Sequence, residues 1–264
     1  MEAVVPATSK FVGELQMACQ SEGCPVCRVL TQYEQRYWEG LLYEQVNDGG
    51  VRAALRAARG FCAVHTQAFA MLPGAPFAGA IITTDLLTTL LQLTQEGRRT
   101  SVPIWQQWLP WHMVAQKTAL ARRLRPRRPC PACEHMAQLA GQVVATLVRA
   151  LEQEQFARAF NSSDGLCLPH MMQAISLPSL PPAAREELLV RQRTIWQRLA
   201  DRLAAFVQQH DYRWGSAVGL EHDQVHWRHA LTALSGARYG RDELVLIAAP
   251  NQSLLCARWR SPRS

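Results

Sequence analysis

Apolar residues recur every three to four positions through most of this 264-residue chain, which puts them on one face of an α-helix. Leu30, Tyr33, Tyr37 and Leu41 form one such face, spaced i, i+3, i+7 and i+11. Met136, Leu139, Val143 and Leu147 repeat that spacing. Shorter faces follow at Val51 and Leu55 and at Phe156 and Phe160. Longer ones come next, Ile82, Leu86, Leu90 and Leu93 in the first half and Leu188, Ile195, Leu199, Leu203 and Phe206 in the second, the latter on a helix from about 182 to 209. Asn47-Asp48-Gly49-Gly50 and Asn161-Ser162-Ser163-Asp164-Gly165 supply turn residues and positive φ, and Leu72-Pro73 and Leu177-Pro178 act as stops. Strict alternation is almost absent before residue 240. In the tail, residues 243–247 and 253–256 flank Ala249-Pro250-Asn251-Gln252 and read as a small β-hairpin. The pattern predicts an all-α protein with that hairpin at its C-terminus.

The two helical series are in register with a second repeat, of chemistry. Cys24-Pro25-Val26-Cys27 is followed by Cys62-Ala63-Val64-His65, and Cys130-Pro131-Ala132-Cys133 by Cys167-Leu168-Pro169-His170. Six cysteines and two histidines are thereby used, each C-x-x-H preceded two residues earlier by a glycine, Gly60 or Gly165. The order in each half is C-x-x-C, helix, turn, short helix, glycine, C-x-x-H, short helix, Leu-Pro stop. This organisation reads as two tandem pseudo-repeats. Residues 1–97 form the first, 98–129 a linker, 130–236 the second with a C-terminal helix, and 237–264 a tail.

In a C-x-x-C turn two thiolates reach one ion, and the proline fixes φ between them. In C-x-x-H the ligands are three residues apart and share a face of a helix's first turn. Taken in chain order, Cys24, Cys27, Cys62 and His65 make one set of three cysteines and a histidine, and Cys130, Cys133, Cys167 and His170 the other. Closed sets of this kind are structural Zn²⁺ sites, where the ion contributes about 10–16 kcal/mol in small peptides. Iron–sulfur clusters are the alternative, and redox thiols a third use. Four good donors leave no open position for hydrolysis, so an enzyme is not the expected reading. A c-type haem motif would need histidine at 134, where Glu134 stands.

Charge adds one further candidate. There are 28 lysines and arginines against 21 aspartates and glutamates, a net +7, and the only lysines are Lys10 and Lys117. Arg122, Arg123, Arg125, Arg127 and Arg128 crowd the end of the linker, after Trp105, Trp108 and Trp111. Guanidinium forks beside aromatic rings suit a nucleic-acid backbone, and a solvated linker is the plainer account. His222, His226 and His229 fall at i, i+4 and i+7. That resembles H-E-x-x-H with Asp223 in place of the glutamate, and an amphipathic surface helix explains the spacing as well. Cys19 and Cys256 belong to neither set and read as free buried thiols. No basic stretch followed by an apolar one opens the chain. The longest apolar stretch, Ala78 to Leu93, holds Asp85 and four threonines, short of a convincing membrane span. A reducing cytoplasm, where cysteines serve as metal ligands, is the expected setting.

With C-P-x-C, a long helix, G-[F/L]-C-x-x-H, and a downstream run through His210-Asp211-Tyr212-Arg213 to Glu221, Trp227 and Gly236, the chain resembles an uncharacterised bacterial domain family over residues 20–236. The resemblance implies this architecture and no activity. The expected function is a helical binding or scaffold module with two structural zinc sites and a protein partner. An iron–sulfur redox or sensor protein and a nucleic-acid binder using the linker arginines are the alternatives.

Overall fold

The computed structural model describes residues 9–96, 120–209, 230–236, 238–239 and 244–245. Among these, nine α-helices follow in order: α1 Ser9–Ala18, α2 Pro25–Gly40, α3 Gly49–Ala58, α4 Ala63–Ala70, α5 Ala75–Glu96, α6 Pro131–Ala150, α7 Glu154–Ser162, α8 Leu168–Ile175 and α9 Pro182–Gln209. A π-helical turn, Leu41–Gln45, prolongs α2, and shorter helical segments occupy 120–124 and 230–235. The protein is all-α in its described body. Two-residue strands Arg238–Tyr239 and Leu244–Val245 pair antiparallel, so the partner of the 244–245 stretch is upstream. The expected partner at 253–256 lies outside the described residues, as do Trp105, Trp108, Trp111, Cys256, His222, His226 and His229.

The helix stops follow local chemistry. Asp48 does more than end a turn: its side chain accepts from the Val51 amide at 2.8 Å and caps α3. Helix α3 ends in a double left-handed turn, Arg59 at φ 60° and Gly60 at φ 101°. On the other side Ser163 closes α7, its hydroxyl donating to Phe160 O at 2.7 Å and accepting from Gly165 N at 3.0 Å. Helix α1 was not foreseen in the sequence pattern. It is short, and only Leu15, Ala18 and the adjoining Cys19 are buried.

The chain divides into two compact units that do not follow the two halves of the sequence. Met1–Glu34 with Ala137–Ile247 form the first, and Gln35–Met136 belong to the second. Helix α2 starts in the first unit and ends in the second, and α6 does the reverse. The first unit's core is built on Leu15, Val26, Val143, Leu147, Phe156, Phe160 and Met171, all 2% exposed or less. Phe11 packs on Tyr33 with ring centroids 5.5 Å apart and so ties α1 to the middle of α2. In the second unit Trp38, Leu41, Leu55, Phe69, Ala78 and Ile82 form the core.

Helix α5 is long and apolar enough to cross a membrane by length and composition over Ala75–Gln95, at a mean hydropathy of 1.3. One such helix is weak evidence for a membrane protein. Its Asp85 is held by Arg56 at 2.8 Å and Arg52 at 3.3 Å from α3, which fixes a charged, half-buried network in mid-helix.

Candidate metal centres

All four ligand pairs sit at helix N-termini. Cys24 and Cys130 immediately precede Pro25 and Pro131, the first residues of α2 and α6, where proline's fixed φ is preorganised for the helix. Cys27 and Cys133 follow in the first turn. Cys62 and Cys167 are the N-caps of α4 and α8, with near-identical backbone angles of φ −69°, ψ 165° and φ −68°, ψ 158°. His65 and His170 lie one turn on. Four helix N-termini therefore point partial positive charge at sulfur, which favours thiolate and would offset the net −1 that three thiolates leave around a divalent ion.

The pairs meet in an order the sequence did not disclose. Cys24, Cys27, Cys167 and His170 form one cluster, and Cys62, His65, Cys130 and Cys133 the other. This corrects the expectation that each half supplies a complete set. The first C-x-x-C is closed by the second C-x-x-H, and the second C-x-x-C by the first C-x-x-H. The helices between the pairs of each half are unequal: at 1.5 Å per residue α2 with its π-turn is roughly 30 Å long and α3 about 15 Å, and α6 and α7 differ in the same way.

Within each cluster the donors fit a single tetrahedral ion. In the first, Cys27 Sγ lies 3.7 Å from Cys167 Sγ, and His170 Nδ1 lies 3.1, 3.4 and 3.6 Å from Cys167, Cys27 and Cys24. In the second, Cys62 Sγ lies 3.6 Å from Cys133 Sγ, and His65 Nδ1 lies 3.1, 3.2 and 3.7 Å from Cys62, Cys133 and Cys130. A zinc with sulfur at about 2.3 Å and nitrogen at about 2.0 Å would set sulfurs roughly 3.8 Å apart and sulfur and nitrogen roughly 3.5 Å apart.

Crowding of the sulfurs polarises their protonation. Burial alone pushes Cys24 up, but contacts from Cys167, Cys27 and His170 outweigh it and hold the thiol well below its usual value. Cys130 is lowered to about 3, chiefly by Cys133, which is itself driven up by Cys130. Burial raises the Tyr37 hydroxyl to about 12, and negative charge on Cys130 and Cys133 adds to it.

Each centre is braced by residues with no part in the ligand pattern. At the first, Asp164 accepts from the Gly23 amide at 2.6 Å, which clasps the turn before Cys24 to the turn before Cys167. Gln192, fully buried, accepts from Leu166 N at 2.9 Å and donates to Leu166 O at 3.1 Å, pinning the backbone one residue before Cys167. Gly236 lies over the sulfurs: a Cβ there would stand 3.7 Å from Cys167 Sγ and 3.9 Å from Cys27 Sγ. At the second, Arg59 donates to Leu124 O at 3.3 Å and Arg123 O at 2.7 Å, and Arg127 N donates to Ala57 O at 2.8 Å. These bonds dock the approach to Cys130 on the end of α3. Trp38 and Tyr37 wall this centre, with Trp38 at 5.9 Å from the His65 ring and Tyr37 stacked at 5.0 Å on the exposed His135. The first centre buries all three cysteines, whereas Cys62 and Cys133 at the second are half-exposed. A cavity of about 10 Å³ beside the first centre, lined by Gly23, Cys24, Asp164 and Cys167 among others, has room for one water and none for an organic substrate.

Cys19 is buried apart from both centres, and burial pushes its thiol from 9.0 to about 12, with Ser163 opposing and Cys24 adding. The folded pKa is raised, so this contribution to stability is complete below about pH 9 and is lost as pH climbs towards 12. At pH 8 we expect Cys19 to react with iodoacetamide only as fast as the protein unfolds. Mass-spectrometric mapping of rapid labelling at Cys19 in the native protein would contradict its placement.

Compared with known proteins, residues 15–218 match the model of one family, described as a family of unknown function (DUF6062). No curated protein matches the chain. No solved structure does either.

Proposed function

Since the chain belongs to DUF6062, a family of unknown function, we propose from its own donor atoms that it is a helical scaffold clamped by two structural Zn²⁺ ions. The observation that carries this is the pair of clusters whose four donor atoms lie within 4.8 Å of one another. In a multi-iron cluster, irons and sulfides stand between the protein ligands and spread them further apart than a single ion does. The compact spacing therefore supports one ion per site over an iron–sulfur cluster. Three sulfurs and one nitrogen complete a tetrahedron, so no position is left for an activated water, and a catalytic role is not part of this reading.

A binding role for the scaffold is supported by apolar groups left in solvent. Tyr43, Met71 and Phe77 in the second unit are 85%, 86% and 78% exposed. Tyr43 and Phe77 border a recess of about 150 Å³ with Leu42, Val46 and Ile81. Exposed apolar surface of this kind is a feature of protein-binding sites. Cysteines gathered as metal ligands and not paired in disulfides fit a cytoplasmic setting.

Elemental analysis of aerobically and anaerobically purified protein tests the metal. About two zinc per chain and no visible absorption are expected. Brown protein with iron and acid-labile sulfide would overturn the reading.

A further inference from the structure

Arginines far apart in sequence come together in the second unit. Helix α3 carries Arg52 and Arg56, and Arg59 is the left-handed residue that closes it. Hydrogen bonds from Arg59 to Arg123 O and Leu124 O, and from Arg127 N to Ala57 O, lay residues 123–127 along the end of that helix. Arg122, Arg123, Arg125, Arg127 and Arg128 thus join one surface with the α3 arginines, and all five are exposed.

The carboxylates that meet this surface are few and already engaged. Asp85 is taken by Arg52 and Arg56, and Glu134 by Arg128, whose Nη2 donates to both carboxylate oxygens at 3.0 and 3.1 Å. Among the described residues, Arg122, Arg125 and Arg127 have no ion pair or side-chain hydrogen bond. These guanidiniums stand on a backbone that is tied down, so presenting them to a partner requires little further ordering. Arginine forks fit phosphate oxygens two at a time, and charges repeated along a fixed segment match a polymer of phosphates better than one small anion.

We propose that α3 and residues 120–128 form a binding surface for the phosphodiester backbone of nucleic acid, independent of base sequence. Independence follows because contacts from arginine to phosphate carry no sequence information. A membrane surface fits less well. Between Ala121 and Pro129 the only large apolar side chain is Leu124, half-buried against the segment's own support, so nothing stands ready to enter a bilayer.

The test is fluorescence anisotropy of the metal-loaded full chain with labelled RNA and DNA oligonucleotides of mixed sequence, of about 20 nucleotides, across a salt series from about 50 mM. Binding by wild type should weaken with salt, with similar affinity for unrelated sequences. Duplex and single-stranded RNA and DNA arms identify which source of phosphodiester is preferred. The triple variant Arg122→Gln, Arg125→Gln and Arg127→Gln removes side chains with no hydrogen bond or ion pair among the described residues and keeps the Arg127 amide. It should retain helicity and metal content, raise the dissociation constant at least about tenfold, and lower the salt slope by roughly two to three. Wild type that ignores every oligonucleotide at the lowest salt, a folded triple variant that binds as wild type does, or binding to phosphatidylserine vesicles without binding to oligonucleotides would each overturn the proposal.

Discussion

A Cys27→Ser, Cys167→Ser double variant is expected to keep one metal equivalent per chain, whereas a Cys27→Ser, Cys62→Ser double variant should keep none. The first pair of substitutions falls on one centre, since the two sulfurs are 3.7 Å apart, and the second pair strikes both. Each single variant should lose one equivalent. In stability the second substitution at an already broken centre should add little, whereas substitutions at different centres should come close to adding, because only residues that share a site couple strongly. The total at stake is large: a structural zinc in small peptides contributes about 10–16 kcal/mol, so loss of both ions should show as loss of helicity as well as of metal. Ligand sets taken in chain order predict the reverse stoichiometries. Metal analysis beside circular dichroism separates the two, and one retained equivalent in the Cys27/Cys62 double variant would refute the crossed arrangement.

Chain entropy does not select the crossed arrangement. Cross-linking Cys27 to Cys167 encloses about 140 residues, and the chain-order alternative about 35, but the entropy of closure grows only with the logarithm of length. The difference is about 1–1.5 kcal/mol, small beside one metal site. An extended centre that joins residues so distant in sequence also couples the first and last parts of the described chain within one unit.

Much of this was readable from residues. Ligand spacing fixes which atoms can share a helix turn, so the eight residues that gather in the two clusters and their helix-terminal positions were legible, as were the glycines that lead into Cys62 and Cys167. Periodicity gave the long faces on α2, α5, α6 and α9. Which pair meets which was not legible, because i, i+3 spacing describes one turn and says nothing about where that turn arrives. The turn at Asn47–Gly50 marks only where α2 ends and α3 begins, not where α3 leads. Asp164, Gln192 and Arg59 had no signal. Their roles depend on meeting a backbone amide or carbonyl far along the chain, and no period or motif encodes that. Gly236 stood at the end of the motif series without a reason until its place over the sulfurs of Cys27 and Cys167 supplied one.

The two glycines before the C-x-x-H pairs give a graded test of how tightly each centre is built. Both hold positive φ, 67° at Gly165 and 101° at Gly60, which strains any residue with a Cβ by about 1–2 kcal/mol. Their surroundings differ. A Cβ at Gly165 would stand 2.8 and 2.9 Å from the Gln192 amide and 3.0 Å from Ile195 Cδ1, and Gln192 cannot withdraw without releasing both bonds to Leu166. A Cβ at Gly60 meets Leu86 Cδ1 at 3.4 Å, the end of an adjustable side chain. Gly165→Ala should therefore cost about 2–4 kcal/mol and weaken the first centre in competition with a chelator, while Gly60→Ala should cost about 1–2 kcal/mol and act on the second. Adding Gln192→Ala to Gly165→Ala relieves the collision, so the double variant should be less unstable than the two single effects summed. Denaturant midpoints of metal-saturated protein measure all four variants. A Gly165→Ala protein as stable as wild type, or additive effects with Gln192→Ala, would show that the turn into Cys167 is not held by that contact.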